Sequence, residues 1–459
     1  MNDMSQLSSS GQGRSLLPSP EQRERLRRKR AFKDNVSRYG IGAAGIGVVI
    51  ALGMIFVYLF SEVMPLFKSA QISTEQTYAI PGVESGEQLE HLTIDRHDTL
   101  GASFTDTGRI TFFELADGAI HSSFDMPRPD AASRTAFATG FATTRAFAYG
   151  YDNGDISLGQ VDYAITYPDN LRHIEPKLKF PLGEEPLTLD EEGRAIRVLG
   201  LQLSDRGIYA AAELDDGTLM VTSFDRRENI MTGAVTVEQT TVELPGFDGH
   251  ARQILIDNRY RHLYVSDDAG YIHHYDIGNL TNPRYRGAVE VTDSGHVSEM
   301  VYLNGTVSII AGTTDGQVRQ YFPVRDGQNQ YDLTHIRDFA RYETAITHIE
   351  AEHSRRGFLV GDELGNLGIH HATAAADVFD APMTEGPLAR IAISPVSSMA
   401  LFADENNQLQ VANVSNRHPG ISFSSLWQKV WYEGSSQPRY VWQSTAGGDE
   451  YEPKMSLVH

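Results

Sequence analysis

The stretch ASFTDTGRITFFEL, residues 102–115, decides the fold. An apolar strand runs into a tight turn carrying Asp106 and Gly108, and an alternating strand leads out. Gly, Asn and Asp tolerate the positive φ that tight hairpins require. The same device recurs in FAYGYDNGDISLGQV (147–161), YAAAELDDGTLMVTSF (209–224), LYVSDDAGYIHHYDI (263–277), IIAGTTDGQVRQYF (309–322) and FLVGDELGNLGIHH (358–371). A weaker seventh copy is ALFADENNQLQVANV (400–414).

The turn residues are Gly108, Gly154, Gly217, Gly270, Gly316, Gly365 and Asn407, spaced 42–63 residues apart. A hairpin repeated at that period is the signature of a β-propeller, whose blades of about four strands stack round a ring. Seven copies predict an all-β, seven-bladed propeller over 76–416, although six or eight blades also fit. The longest interval predicts an inserted loop at PLGEEPLTLDEEG (181–193). QTYAIP (76–81) is placed to close the ring against the last blade. Between the hairpins lie further strands, among them HLTID (91–95), ILID (254–257), THIEAE (347–352) and LARIAISP (388–395).

Ahead of the repeats, YGIGAAGIGVVIALGMIFVYLF (39–60) runs for 22 residues without a charge. About 20 apolar residues cross a bilayer core. The run is long for a cleaved signal peptide and follows a 38-residue leader, so it reads as an uncleaved anchor bounded by Tyr39 and Phe60. Nine Lys/Arg and four acids stand in residues 1–38, leaving a strongly acidic remainder within a net charge of −21. Arg27, Arg28, Lys29 and Arg30 hold the leader in the cytoplasm and send the bulk across an inner membrane. The leader is expected to be partly disordered, with 61–75 as a linker. Gly40, Ala43, Ala44, Gly47 and Ala51 pair at intervals of four, a spacing that admits a neighbouring helix.

The acidic body excludes nucleic acid as a natural partner. No cysteine is present, so disulfides and thiolate metal sites are excluded. No Walker loop, GxSxG elbow or HExxH motif appears. His273-His274 and His370-His371 lie on alternating strands, where neighbours face opposite ways and do not share one metal. DNGD (152–155) lacks the spacing of a calcium loop. No catalytic, metal or cofactor residue is assigned. Arg226-Arg227 and Arg355-Arg356 are the basic pairs considered for anions, and both read as solvated. Phosphate binding by the outer domain is not expected.

After about residue 416 the character changes. ISFSSLWQKVWYEG (421–434) has helical spacing, and Trp427, Trp431 and Trp442 cluster as interfacial aromatics would. The segment 417–459 is expected to return toward the membrane, its end leading into a second crossing.

The leader and span (23–67), with SSLWQKVWYEG (424–434) and YVWQSTAGGDEYEPKMSLV (440–458), resemble the long form of the phosphate ABC transporter permease of the Pst system. The resemblance implies a partner permease subunit, a cytoplasmic ATPase and a periplasmic phosphate-binding protein. It also implies transport-forming helices beyond the EPKxSL stretch, which are expected to be missing from this chain. The expected function is therefore docking or regulation of transporter partners in phosphate import, without catalysis. Two other readings stay open. One is a periplasmic propeller enzyme of dehydrogenase, lactonase or glycosidase type, marked by acids and histidines converging in the channel. The other is an envelope assembly scaffold.

Overall fold

A computed structural model describes residues 20–63, 71–170, 172–204, 207–228, 235–328, 330–339, 341–353, 357–373, 376–415, 439–443 and 454–458. The chain divides into two compact units, 69–418 and the two flanking segments taken together.

The larger unit is a seven-bladed β-propeller built from six four-stranded antiparallel sheets and one five-stranded sheet, the second blade. Six blades take their strands in simple chain order. The first holds Leu89–Ile94, Leu100–Thr105, Arg109–Glu114 and Ile120–Asp125. The seventh combines Leu388–Ile393, Met399–Asp404 and Gln408–Ser415 with Gln71–Ala79 from the front of the unit. Gln71 stands opposite Ser415 and Ala79 opposite Gln408. This pairing closes the ring and covers an edge that would otherwise be free to pair with another chain. It also corrects the linker boundary. Residues 71–75, read as linker, are strand, because their backbone groups find partners on the last blade.

The hydrophobic core is divided among seven seams. Each cluster of buried apolar side chains straddles two neighbouring blades. Ala138, Ile156 and Leu158 of the second blade pack with Leu199, Ala210 and Phe224 of the third. The remaining seams follow the same plan. The opening stretch shows why. Phe112 packs into the seam with the second blade, while its neighbour Phe113 packs into the seam with the seventh. Ala210 and Ala212 face one seam and Ala211 the other. A strand alternates its side chains between two faces, and here both faces are buried, so apolar residues run consecutively.

The turn residues lie at the hairpins between the second and third strands of each blade. Gly108, Gly154, Gly217, Gly270, Gly316 and Gly365 have φ between 79° and 90°, and Asn407 has φ 59°. In five blades a side-chain oxygen three residues earlier accepts backbone N–H groups of the turn. Asp267 takes Ala269 and Tyr271, Asp362 takes Leu364 and Asn366, and Asp404 takes Asn406 and Gln408. Thr105 and Thr313 do the same for Arg109 and Gln317. The long interval expected to hold a loop carries one extra short strand, Leu187–Thr188, pairing with Asp155–Ile156.

The other unit contains the helix Pro20–Val63, 44 residues long. Its apolar part, Tyr39 to Phe60, is exposed throughout. At 1.5 Å per residue those residues span roughly 33 Å, enough for the hydrocarbon core. A Cβ built on Gly40 or Gly47 would meet no atom within 4 Å, so within this structure the small-residue face is open. Arg439–Gln443 pairs antiparallel with Lys454–Val458, placing Trp442 opposite Met455. The stretch read as the lead-in to a second crossing is thus a short strand, its backbone bonded to a partner strand. Trp427, Trp431 and the helix expected at 421–434 lie outside the described residues.

Candidate functional site

The innermost strands of all seven blades surround a channel with a cavity of about 400 Å³. Four strands noted in the sequence, HLTID, ILID, THIEAE and LARIAISP, are among these innermost strands.

Every innermost strand breaks register at its second residue. The shifts fall at Leu89/His91, Arg134/Ala136, Ile196/Val198, Ala251/Gln253, Val297/Glu299, Ile346/His348 and Leu388/Arg390. A bulge bends the strand and re-aims side chains. Two equivalent tiers follow. The first contains Glu90, Thr135, Arg197, Arg252, Ser298, Thr347 and Ala389. The second contains His91, Ala136, Val198, Gln253, Glu299, His348 and Arg390.

Several of these polar side chains latch one blade to the next. An innermost strand pairs on one side only, so its other edge offers unpaired backbone groups. Gln253 donates to the Met300 carbonyl at 2.9 Å and accepts from the Met300 N–H at 2.6 Å. Glu299 accepts from the Ile349 N–H at 2.9 Å and pairs with His348 Nδ1 at 2.9 Å. Thr347 donates to the Leu388 carbonyl at 2.6 Å, and Arg390 Nε to the Glu90 carbonyl at 2.7 Å. Gln202 donates to the Ile256 carbonyl and accepts from the Phe141 N–H. A polar group that satisfies buried backbone avoids a cost of about 1–3 kcal/mol.

The channel is therefore polar along the blades that supply Glu299, His348, Glu350, Arg390 and His91. It is not the smooth apolar tube that would set an enzyme aside at once. Among the described residues, however, no three His, Asp or Glu side chains are grouped so as to hold a metal ion. Burial drives the His91 imidazole down to about 3, helped by nearby His348 and Arg390. Burial, together with the Glu299 carboxylate, pushes Glu350 up to about 8.

These shifts set a pH dependence. Folded Glu350 holds a proton that the unfolded chain releases near 4.5, so its contribution to stability is full below that pH. The contribution is lost as pH rises through about 8. His91 acts in the opposite sense, and its contribution falls away as pH drops from 6.5 toward 3. Glu350→Gln is expected to flatten the decline between pH 5 and 8 in denaturant titrations. An unchanged slope would show that Glu350 does not control it.

A second cavity, of about 420 Å³, adjoins the first and is lined by Arg134, Arg197 and Arg252 together with Glu90 and Asp106. Arg134 is engaged with the Met126 carbonyl and lies over the Tyr149 and Tyr151 rings. Arg197 stands 3.4 Å from Glu213. These arginines were missed in the sequence, where Arg226-Arg227 and Arg355-Arg356 were considered instead. Arg226 lies on the outer-lying strand Leu219–Glu228, and Arg355-Arg356 fall outside the described residues. For Arg197 and Arg252 the signal was the second position of the innermost strand, and Arg134 opens its strand, placements that need the blade register to be read.

Among the described residues, none of the site residues selected from the sequence lines the channel cavity. The turn residues sit at the hairpins, and Tyr39, Phe60, Arg27, Arg28, Lys29, Arg30 and the small residues belong to the helix. The histidine pairs are packed within blades. His273 bridges Asp267 at 2.9 Å and the Tyr285 hydroxyl at 3.0 Å, while His274 meets His262 at 2.9 Å. His370 pairs with the Tyr342 hydroxyl at 2.6 Å, and His371 with Thr373 at 3.1 Å.

No family model matches the chain, and no curated protein matches it. Among solved structures it is similar to the Myceliophteria thermophila Cps50 (Swd1) β-propeller domain, with a TM-score of 0.52 and 12% identity. That match covers 75% of this chain and 100% of the other. At this identity the likeness establishes the architecture alone: the chain is a β-propeller carrying an N-terminal helix apolar enough to span a membrane.

Proposed function

We propose that this protein is a membrane-anchored propeller of a phosphate ABC permease assembly, serving import by docking or regulating transporter partners. The observation that carries the anchored reading is the helix, whose 22 uncharged residues are exposed and preceded by a basic flank. The transporter setting rests on the resemblance of the leader, span and tryptophan-rich segment. Docking is favoured over catalysis because Gln253, Glu299, Thr347 and Arg390, which give the channel much of its polarity, are engaged in holding blades together.

The test is co-purification of the full chain from phosphate-starved cells. The partner permease subunit, the ATPase and the phosphate-binding protein are expected to accompany it. Absence of all three would overturn the transporter setting.

Topology has its own test. The chain has no cysteine, so one introduced thiol reports on its own position. In intact spheroplasts an impermeant maleimide is expected to label Asp125→Cys, an exposed site on the first blade, and to spare Ser8→Cys in the leader. Reversing the charges of Arg27, Arg28, Lys29 and Arg30 to Glu should expose the Ser8→Cys thiol in a substantial fraction. Recovery of chains lacking the leader would identify the helix as a cleaved signal instead.

A further inference from the structure

Glu350 stands apart from the rest of the channel. The second-tier polar groups Gln253, Glu299 and Arg390 bond to neighbouring backbone. Glu350 lies two residues beyond His348, opposite Leu359 in its own blade. Its register equivalents in the other six blades are Thr93, Ala138, Gly200, Leu255, Val301 and Ala392. None of those six can ionise. Among the described residues the Glu350 carboxyl has no hydrogen-bond partner, yet it lines the cavity of about 400 Å³. The side chain is half-buried on the channel wall, so its carboxyl faces the cavity rather than a protein partner, and the tier would close as well with an apolar residue there.

We propose that the channel is a binding site for a cationic amine or guanidinium on an apolar stem, with Glu350 as its counter-ion. Leu255, Val301, Ala138 and Ala392 supply the apolar wall for the stem. Glu299 stands near enough to disfavour a second negative charge, and a bound cation relieves that repulsion. The other ionisable groups lining the channel are placed differently. Arg390 holds the Glu90 backbone, and His348 is paired with Glu299. His91 lies among Phe104 and Phe137. Arg145 faces Asp162 and lies over the Tyr163 ring. Arg252 is exposed in the outermost tier, and Glu90, Tyr302, Glu352 and His353 complete the set. The cation can come from a free amine or from a lysine side chain of a docking partner. This inference does not depend on the transporter reading and would survive its failure.

The test is calorimetry on the full chain in detergent at pH 7, with n-pentylamine, agmatine, a lysine-containing tetrapeptide and n-pentanol as probes. The amines are expected to bind and the alcohol is not. Glu350→Gln should weaken amine binding at least about tenfold, since a desolvated charge pair is lost. Glu350→Asp should keep part of it. Binding of an amine should expel close to one proton, read from heats in two buffers of different ionisation enthalpy. Preference for the tetrapeptide over the free amines assigns the site to a partner's side chain, and the reverse assigns it to a small ligand. Equal affinity in Glu350→Gln, or no amine binding at millimolar concentration, overturns the proposal. Glu350→Gln removes a strained acid and should fold at least as stably as the parent at pH 8, which keeps the comparison valid.

Discussion

A chain in which Gln71–Ala79 is replaced by a Gly-Ser run of equal length is expected to melt about 10–20 °C below the parent. The substitution removes the outer strand of the seventh blade while leaving the tether length unchanged. Ile72 loses its packing against the seam between the sixth and seventh blades, and Tyr78 its edge-on contact with Phe113 at 6.4 Å. The Tyr78 hydroxyl also gives up the Leu115 carbonyl. Partial apolar burial and ladder hydrogen bonds worth about 1 kcal/mol each make a loss of about 5 kcal/mol. For a domain of this size each kcal/mol moves the melting temperature by about 2–4 °C. The bare edge of Gln408–Ser415 should also promote aggregation on heating. Differential scanning calorimetry with light scattering measures both, and an unchanged melting temperature would show that the ring does not rely on this strand.

The second large effect concerns the turn glycines, and it separates two positions that look alike in sequence. Gly316→Val should destabilise the propeller by more than about 3 kcal/mol, while Gly217→Ala should cost only about 1 kcal/mol. Both residues have φ above 80°. A Cβ on Gly316 would lie 2.4 Å from the Tyr342 carbonyl oxygen and 2.8 Å from that of Thr344. The Gly316 carbonyl in turn accepts the Tyr342 N–H at 2.8 Å, so the hairpin is pinned to the loop that begins the next blade. A Cβ on Gly217 would meet nothing within 4 Å. Gly270 and Gly365, pressed against the Thr292 and Thr384 carbonyls at 2.4 and 2.5 Å, should behave like Gly316. Urea titration of the two variants ranks them, and equal losses at Gly217 and Gly316 would refute the close-approach argument.

The histidine pairs show how far pattern reading reaches. Alternation along a strand sends neighbours to opposite faces, and His273 and His274 have separate partners. Which partner each would find was not legible, because Asp267 and His262 reach them through the hairpin register. The channel was less legible still. Arg197, Arg252 and Glu299 are single residues in short strands with no motif around them. Only the shared bulge of seven separate strands brings them to one axis.

The sequence by itself determined the repeated hairpins, the positive-φ turn residues and the uncharged span. Each depends on chemistry within a few neighbouring residues: the conformational freedom of glycine, the two-residue period of a strand, and the length of a bilayer crossing. Tertiary structure alone decided that the front strand closes the ring, starting five residues earlier than the repeats suggest. It also decided which turn glycines are crowded, which polar side chains hold blades together, and that Glu350 stands alone in its tier. Those features depend on strands hundreds of residues apart, and Gln71 meets Ser415 only once seven blades have been laid in a ring.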